Sequence, residues 1–324
     1  IEVPGREGWH PILVANSHSF SRDDLISYFP KAEGGVYTVS DAFDNELRVE
    51  TDVTTAGSPV VSFLPEMPLP PMSINVFYIK RTDTDSYDLQ DLSDRPFVLE
   101  NSCLKAELDS ITGNVISLYL KNPGHEFIPR RHPGNHIEIY EDANNYAHGP
   151  DHRWDPWHIS FSERKFAPVG TTSVIWKKYN SVRQTVVVSR KMDLCPGMGP
   201  TVFEQEITLR EGSPVLEFHS YGIWSAAEAF LKAEFHLNLE ADTHICEMPY
   251  GVSERSNVPP DKKVIDDQSA LEDLVKAGDS RPEPDLPMQR WLDYSDDIIG
   301  LAFLNDGKYG YDIDGHRVRL SLMR

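Results

Sequence analysis

Cysteine is scarce. The 324 residues hold three, Cys103, Cys195 and Cys246, odd in number, far apart and without a CxxC pair, which excludes a disulfide framework or a structural zinc ribbon as the basis of the fold. A reducing compartment follows as the expectation, and with it a cytoplasmic location. Long apolar runs are missing too: the longest, Ile298 to Leu304, contains Gly300 and falls far short of the ~20 residues that a spanning helix needs. The opening IEVPGREGWH has no charged stretch leading into an apolar core, so neither a signal peptide nor a membrane is expected. No Asn-x-Ser/Thr sequon occurs. Positive charge is short as well, since 31 Lys and Arg stand against 51 Asp and Glu, for a formal charge of −20. Such a chain repels a phosphate backbone or an anionic bilayer unless its cations are segregated. The densest basic spot, Arg130, Arg131 and His132, is too short for that, and nucleic acid is excluded as a partner.

Catalytic signatures are equally thin. HExxH, GxSxG, GxGxxG and GxxxxGK[ST] are all absent, which removes the common zinc-peptidase, serine-hydrolase, dinucleotide and P-loop readings. A loop with His148, Asp151, His152, Asp155 and His158 has ligand-competent side chains, but their spacing matches no closed zinc set.

What is present is β punctuation. The 24 prolines and 20 glycines lie along the whole chain and break it into short apolar runs, the pattern of an all-β sandwich. In Thr201 to Arg210, Phe203, Gln205, Ile207 and Leu209 share one face and Glu204, Glu206, Thr208 and Arg210 the other. Lys232 to Glu240 repeats this, with Phe235, Leu237 and Leu239 inward and Glu234, His236, Asn238 and Glu240 toward water. Asp314-Gly315 signals a two-residue hairpin before Val318, Leu320 and Leu322. One helix is expected, Gln268 to Ala277, stopped by Gly278. The segment 81–95, RTDTDSYDLQDLSDR, reads as an acidic linker between a small β module (1–80) and a large antiparallel sandwich (96–324).

Two segments invite a functional reading. Tyr140 to His158 packs two Trp, two Tyr, three His and four acids into nineteen residues, which suits a sugar surface where rings meet C–H faces and carboxylates accept from hydroxyls. Equally, Trp154 and Trp157 fit a plug for the sandwich core. Gln289 to Asp293 and Leu304 to Tyr311 read first as a strand and a turn.

Eight segments taken in order carry a resemblance: VANSHSFSRDDLISYFP from Val14, FVLENSCLKAELDSITGNVISL from Phe97, WDPWHI from Trp154, FEQEITLREGSPVL from Phe203, FLKAEF from Phe230, MPYGVSER from Met248, QRWLDYS from Gln289 and LAFLNDGKYGYDIDGHRVRLSLMR from Leu301. Together they resemble the C-terminal β half of α-mannosidases of glycoside hydrolase family 38, nearer the bacterial and cytosolic branch than the Golgi branch. The resemblance implies a galactose-mutarotase-like supersandwich behind a small β module. It also implies a zinc-dependent, retaining hydrolysis of terminal α-linked mannose, whose Asp nucleophile, acid/base carboxylate and zinc lie in an N-terminal catalytic domain that this chain lacks. That domain and a mannose-containing oligosaccharide are the implied partners, and self-association stays open. The isolated chain is expected to be inactive, and its sandwich to be left with an incomplete, exposed edge beyond Arg324. Carried over by position, the substrate-rim residues are Trp154, Asp155, Trp157 and Arg324, with Arg290 and Tyr309 behind them. Pro156 and His158 depart from the family's usual Ala and Asp, and Pro259 to Met288 is an insertion. Two other readings remain, a stand-alone carbohydrate-binding module and a mutarotase-type epimerase, the latter without a matching acid–base motif. Because Arg324 shares the parity of Val318, Leu320 and Leu322, a regular strand would aim it to the apolar side.

Overall fold

Alternation at period two becomes antiparallel strands almost everywhere. A computed structural model describes residues 3–31, 35–54, 57–82, 91–142, 161–166, 169–193, 200–226, 229–257 and 285–324, and among these there are 24 strands and no helix. The helix expected over 268–277 lies outside the described residues. Among the described residues no helix is long and apolar enough to cross a membrane.

The chain forms two compact units, one of Ile1–Arg95 with Trp176–Thr185, the other of Pro96–Ile175 with Val186–Arg324. In the first unit, one three-stranded sheet runs in the order His10–Asn16, Ser73–Thr82, Val36–Asp41 and another in the order Ile26–Tyr28, Pro59–Phe63, Val49–Val53. Ile12, Val39, Phe77 and Ile79 of the first sheet and Val61 and Phe63 of the second share one core, closed by Leu47 and Leu69. The hairpin tip at residues 176–185 joins this unit through charge. Glu50, whose side chain is 4% exposed, accepts from Lys178, from Asn180 at 3.1 Å and from Arg183 at 2.5 Å. Burial pushes the Glu50 carboxyl up, but the bonds from Arg183 and Lys178 outweigh it and hold it below the usual carboxylate range.

Four further sheets are built mainly from the second unit, one of them with strands that run on into residues 176–185. Val98–Glu100, Leu104–Leu108, Val115–Leu120 and His125–Glu126 follow one another in the first, and Val169–Tyr179, Arg183–Asp193, Thr201–Arg210 and Leu216–Ile223 in the second. A third runs Gly251–Ser256, Thr243–Met248, Trp291–Ser295, Gly300–Leu304. The fourth has six strands, ordered Phe161–Lys165, His136–Asp142, Ala229–His236, Arg317–Met323, Gly310–Asp314, Leu286–Pro287. The closing strand Arg317–Met323 is flanked on both sides, by Ala229–His236 and Gly310–Asp314. Phe203, Gln205, Ile207 and Leu209 are buried on one face as the pattern requires, while Thr208 opposite them is buried too. Gln205 is satisfied by exchanging bonds with Asn135 at 3.0 and 3.1 Å and by accepting from Arg190 at 2.9 Å. The Arg190 guanidinium is buried, and desolvation lowers its pKa to about 10.

Two local expectations shift. Asp314 pairs with Arg317, so the hairpin loop is Gly315-His316, with Gly315 at φ 58°. A positive φ at the first loop position is what glycine supplies without strain. Glu234, expected in water, is buried, as is Lys232 beside it, whereas Asn238 and Glu240 are exposed as expected.

Candidate functional site

Strand register divides the six-stranded sheet into two unlike faces. Ile137, Ile139, Leu231, Ala233, Phe235 and Val318 share the apolar face through the pairs Ile137–Ala233, Ile139–Leu231 and Phe235–Val318. The alternate residues pair as His136–Glu234, Glu138–Lys232, Glu234–Arg319 and Arg319–Asp312, so period two places their charges side by side on the opposite face.

These charges form a connected chain. Lys232, 0% exposed, donates to Asp285 at 3.1 Å and to Asp312, and Ser321 donates to Asp285 at 2.8 Å. Arg319 donates through Nε to Asp312 at 2.5 Å and through a terminal nitrogen to the Tyr140 hydroxyl at 3.2 Å. Tyr140 in turn donates to Glu138, which also pairs with Lys165 and with His136 at 3.3 Å. Burial alone would raise the Glu138 carboxyl, yet hydrogen bonds from His136, Lys165 and Tyr140 hold it well below the usual range. Asp285 goes the other way, because burial outweighs the pull of Lys232. Burial, with the Glu138 carboxylate next to it, raises the Tyr140 phenol well above its ordinary value, so it stays a donor.

Arg324 belongs to this charged side. Leu231 pairs with Met323 but Lys232 with Ser321, so the closing strand carries one extra residue, Leu322. A bulge of this kind inverts the parity beyond it. Met323 then packs on the apolar cluster with Leu231 and Ile139, and the next residue returns to the charged face. There the Arg324 Nε donates to Asp142, with side-chain exposures of 30% and 9%. The expected apolar-side orientation assumed a regular strand, and the bulge overturns it.

The other candidates separate. Trp154, Asp155 and Trp157 lie outside the described residues, as do His148, Asp151, His152 and His158. Tyr309 is 56% exposed on the turn 305–309, which is built by Asn305 accepting from Lys308 N at 2.9 Å and by Gly307 at φ 82°. Arg290 is exposed, and its backbone N–H donates to Glu247 at 2.9 Å. Among the described residues no group of three or more His, Cys, Asp or Glu is placed to hold a metal ion, so they provide no cradle for the zinc implied above. Lys232, Asp285, Asp312, Arg319 and Glu138 are not among the candidates that the sequence offers, and Tyr140 is there only as the first residue of the aromatic segment 140–158. The available signal was the run of polar residues at alternate positions in adjacent strands, which reads as a wet face.

Among the described residues the second unit is antiparallel and without helix, and its six-stranded sheet carries one charged face. The sequence profile described as "Glycosyl hydrolases family 38 C-terminal domain" matches residues 99–324, and the chain belongs to that family. Among curated proteins, alpha-mannosidase 2C1 of Homo sapiens is 26% identical over 329 residues, covering 99% of this chain and 26% of that protein. An alpha-mannosidase of Saccharomyces cerevisiae is 24% identical over 238 residues, covering 70% of this chain and 20% of its own length. The chain thus spans about a quarter or less of these relatives. The crystal structure of an alpha-mannosidase from Enterococcus faecalis V583 shares the fold, with a TM-score of 0.66 at 14% identity over 99% of this chain and 40% of that one. A second Enterococcus faecalis structure, of a protein in glycosyl hydrolase family 38, gives 0.63 at 14% identity over 98% of this chain and 41% of that one.

Proposed function

We propose that the chain is the β portion of a zinc-dependent, retaining α-mannosidase acting on terminal α-linked mannose, and that it contributes scaffold and substrate-rim residues. The observation that carries this is the family match over residues 99–324 together with α-mannosidase relatives aligned along 99% of the chain. In this reading the nucleophile, the acid/base carboxylate and the zinc ligands reside in a catalytic domain elsewhere in a longer protein, which is the chain's principal partner. The rim residues are Trp154, Asp155, Trp157, Arg290, Tyr309 and Arg324. Of these, Arg324 has the strongest support, because its Nε donates to Asp142 on the charged face of the six-stranded sheet. A guanidinium there suits sugar hydroxyls as donor-only recognition of acceptor oxygens. The reading also carries a cytoplasmic location, supported by Cys103 and Cys246 both being free thiols.

The test is hydrolysis of an aryl α-mannoside with zinc supplied, by this chain alone and by a longer protein in which it follows its own upstream region. Turnover by the longer protein and none by the chain is expected, because glycoside hydrolysis of this kind needs the paired carboxylates at the scissile bond. Turnover by the chain alone would overturn the division of labour. A longer protein that cleaves other glycosides but not α-mannosides would overturn the substrate.

A further inference from the structure

We infer that the bulge at Leu322 and the carboxylate of Asp142 are positioning devices for Arg324. The bulge turns the guanidinium off the apolar face and Asp142 holds it on the charged one. This rests on the proposed rim role of Arg324 and adds to it the residues that set its aim.

Register is the first argument. Up to Ser321 the odd-numbered residues Arg317, Arg319 and Ser321 lie on the charged side and Val318 on the apolar side. Continued unchanged, that alternation would carry Arg324 to the side of Leu231 and Ile139, where a guanidinium would lose its water without gaining a partner. Insertion of Leu322 prevents this at the last possible residue. The device brings little packing in return, since Leu322 and Met323 are both only half-buried against the cluster they touch. Bulges that re-aim one side chain are characteristic of places where the side chain has a task.

Reach is the second. Asp142 is not on the neighbouring strand: Ala229–His236 lies between His136–Asp142 and Arg317–Met323. Strands are spaced ~4.8 Å apart, so Arg324 extends across about 10 Å of sheet to meet it. An extended arginine ordered at its Nε has given up rotamer freedom, which a partly exposed ion pair repays poorly as stability. It repays well as alignment, because a guanidinium plane fixed in advance does not have to be ordered when a sugar arrives.

The experiment uses the longer protein carrying this chain and its aryl α-mannoside assay, with Asp142→Asn, Asp142→Ala, Asp142→Glu, Arg324→Lys and the double variant Asp142→Ala/Arg324→Lys. Loss of the carboxylate is expected to lower kcat/KM by about 10- to 100-fold, with Tm held within about 2 °C. Asp142→Glu should recover part of the loss. The double variant should be no worse than its poorer parent, since both changes remove one coupled unit. Wild-type kcat/KM in both Asp142→Asn and Asp142→Ala would overturn the inference, and so would losses that multiply in the double variant or that simply track a fall in Tm. An active wild type with unaffected Asp142 variants defeats this inference alone, whereas a wild type inactive on α-mannosides defeats the mannosidase reading and this inference with it.

Discussion

Two glycines show how much a single residue's surroundings decide. Gly113 closes the turn at Asp109–Asn114 with φ 68°, and a Cβ built there would come within 2.3 Å of Val188. Gly315 has φ 58°, but a Cβ there meets nothing within 4 Å. Both alanine variants must adopt a left-handed backbone, which costs roughly 1 kcal/mol. Only Gly113→Ala must also push aside a buried β-branched side chain in a packed core. Chemical denaturation is expected to give a loss of about 1 kcal/mol for Gly315→Ala and about 2–4 kcal/mol for Gly113→Ala. Equal losses would mean that Val188 yields freely. Glu50 offers a parallel case in the first unit. Glu50→Ala leaves Lys178 and Arg183 with the half-exposed Asp52 as their remaining carboxylate, and is expected to cost about 1–3 kcal/mol by the same measurement. At this scale the sequence was only half legible. That Phe203, Ile207 and Leu209 turn inward follows from spacing, whereas the burial of Lys232, Glu234 and Glu50 does not, because polar letters at alternate positions look the same whether water or another layer lies over them.

At the scale of elements, the strands were readable and their exact phase was not. The hairpin before the closing strand was found, but its loop is displaced by one residue to Gly315-His316, since Asp314 still pairs with Arg317. The bulge at Leu322 left no trace in the letters SLMR, which contain neither Gly nor Pro, and it reversed the side on which Arg324 falls. The charged face it joins makes a pH-dependent prediction about the sheet. In Lys232→Met the carboxylates of Asp285 and Asp312 lose the cation they share. Asp285, whose carboxyl burial already raises, loses the cation that pulls it down, so the variant is most destabilised when Asp285 is ionised. The penalty should be about 3–5 kcal/mol near pH 8 and should shrink as pH falls through the raised value of Asp285, because protonation removes the uncompensated charge. Thermal melts of the variant and wild type across this range check it. A gap that is constant with pH would show that lost packing, and not charge, is the cause.

For the whole molecule two electrostatic scales compete. The excess of 20 negative charges is spread over surface where salt screens it, and its self-repulsion opposes the folded state. The pairs that hold the fold are of another kind, for Glu50, Lys232 and Arg319 are nearly inaccessible and salt reaches them poorly. Raising NaCl from about 20 to about 300 mM is therefore expected to leave Tm unchanged or to raise it by a few degrees. Acid acts on the opposite set. Glu50 in the first unit and Glu138 in the second have folded pKa values depressed below those of the unfolded chain. Their contribution is complete above the ordinary carboxylate range and is lost as pH falls through the folded values. Stability should thus hold from pH 8 to about pH 5 and decline below about pH 4, with protons taken up on unfolding in that lower window. Calorimetric or denaturant titrations at several pH values read both signs at once. A Tm that drops by several degrees with added salt at neutral pH would assign the stability to exposed pairs and remove the buried networks from their place in this account.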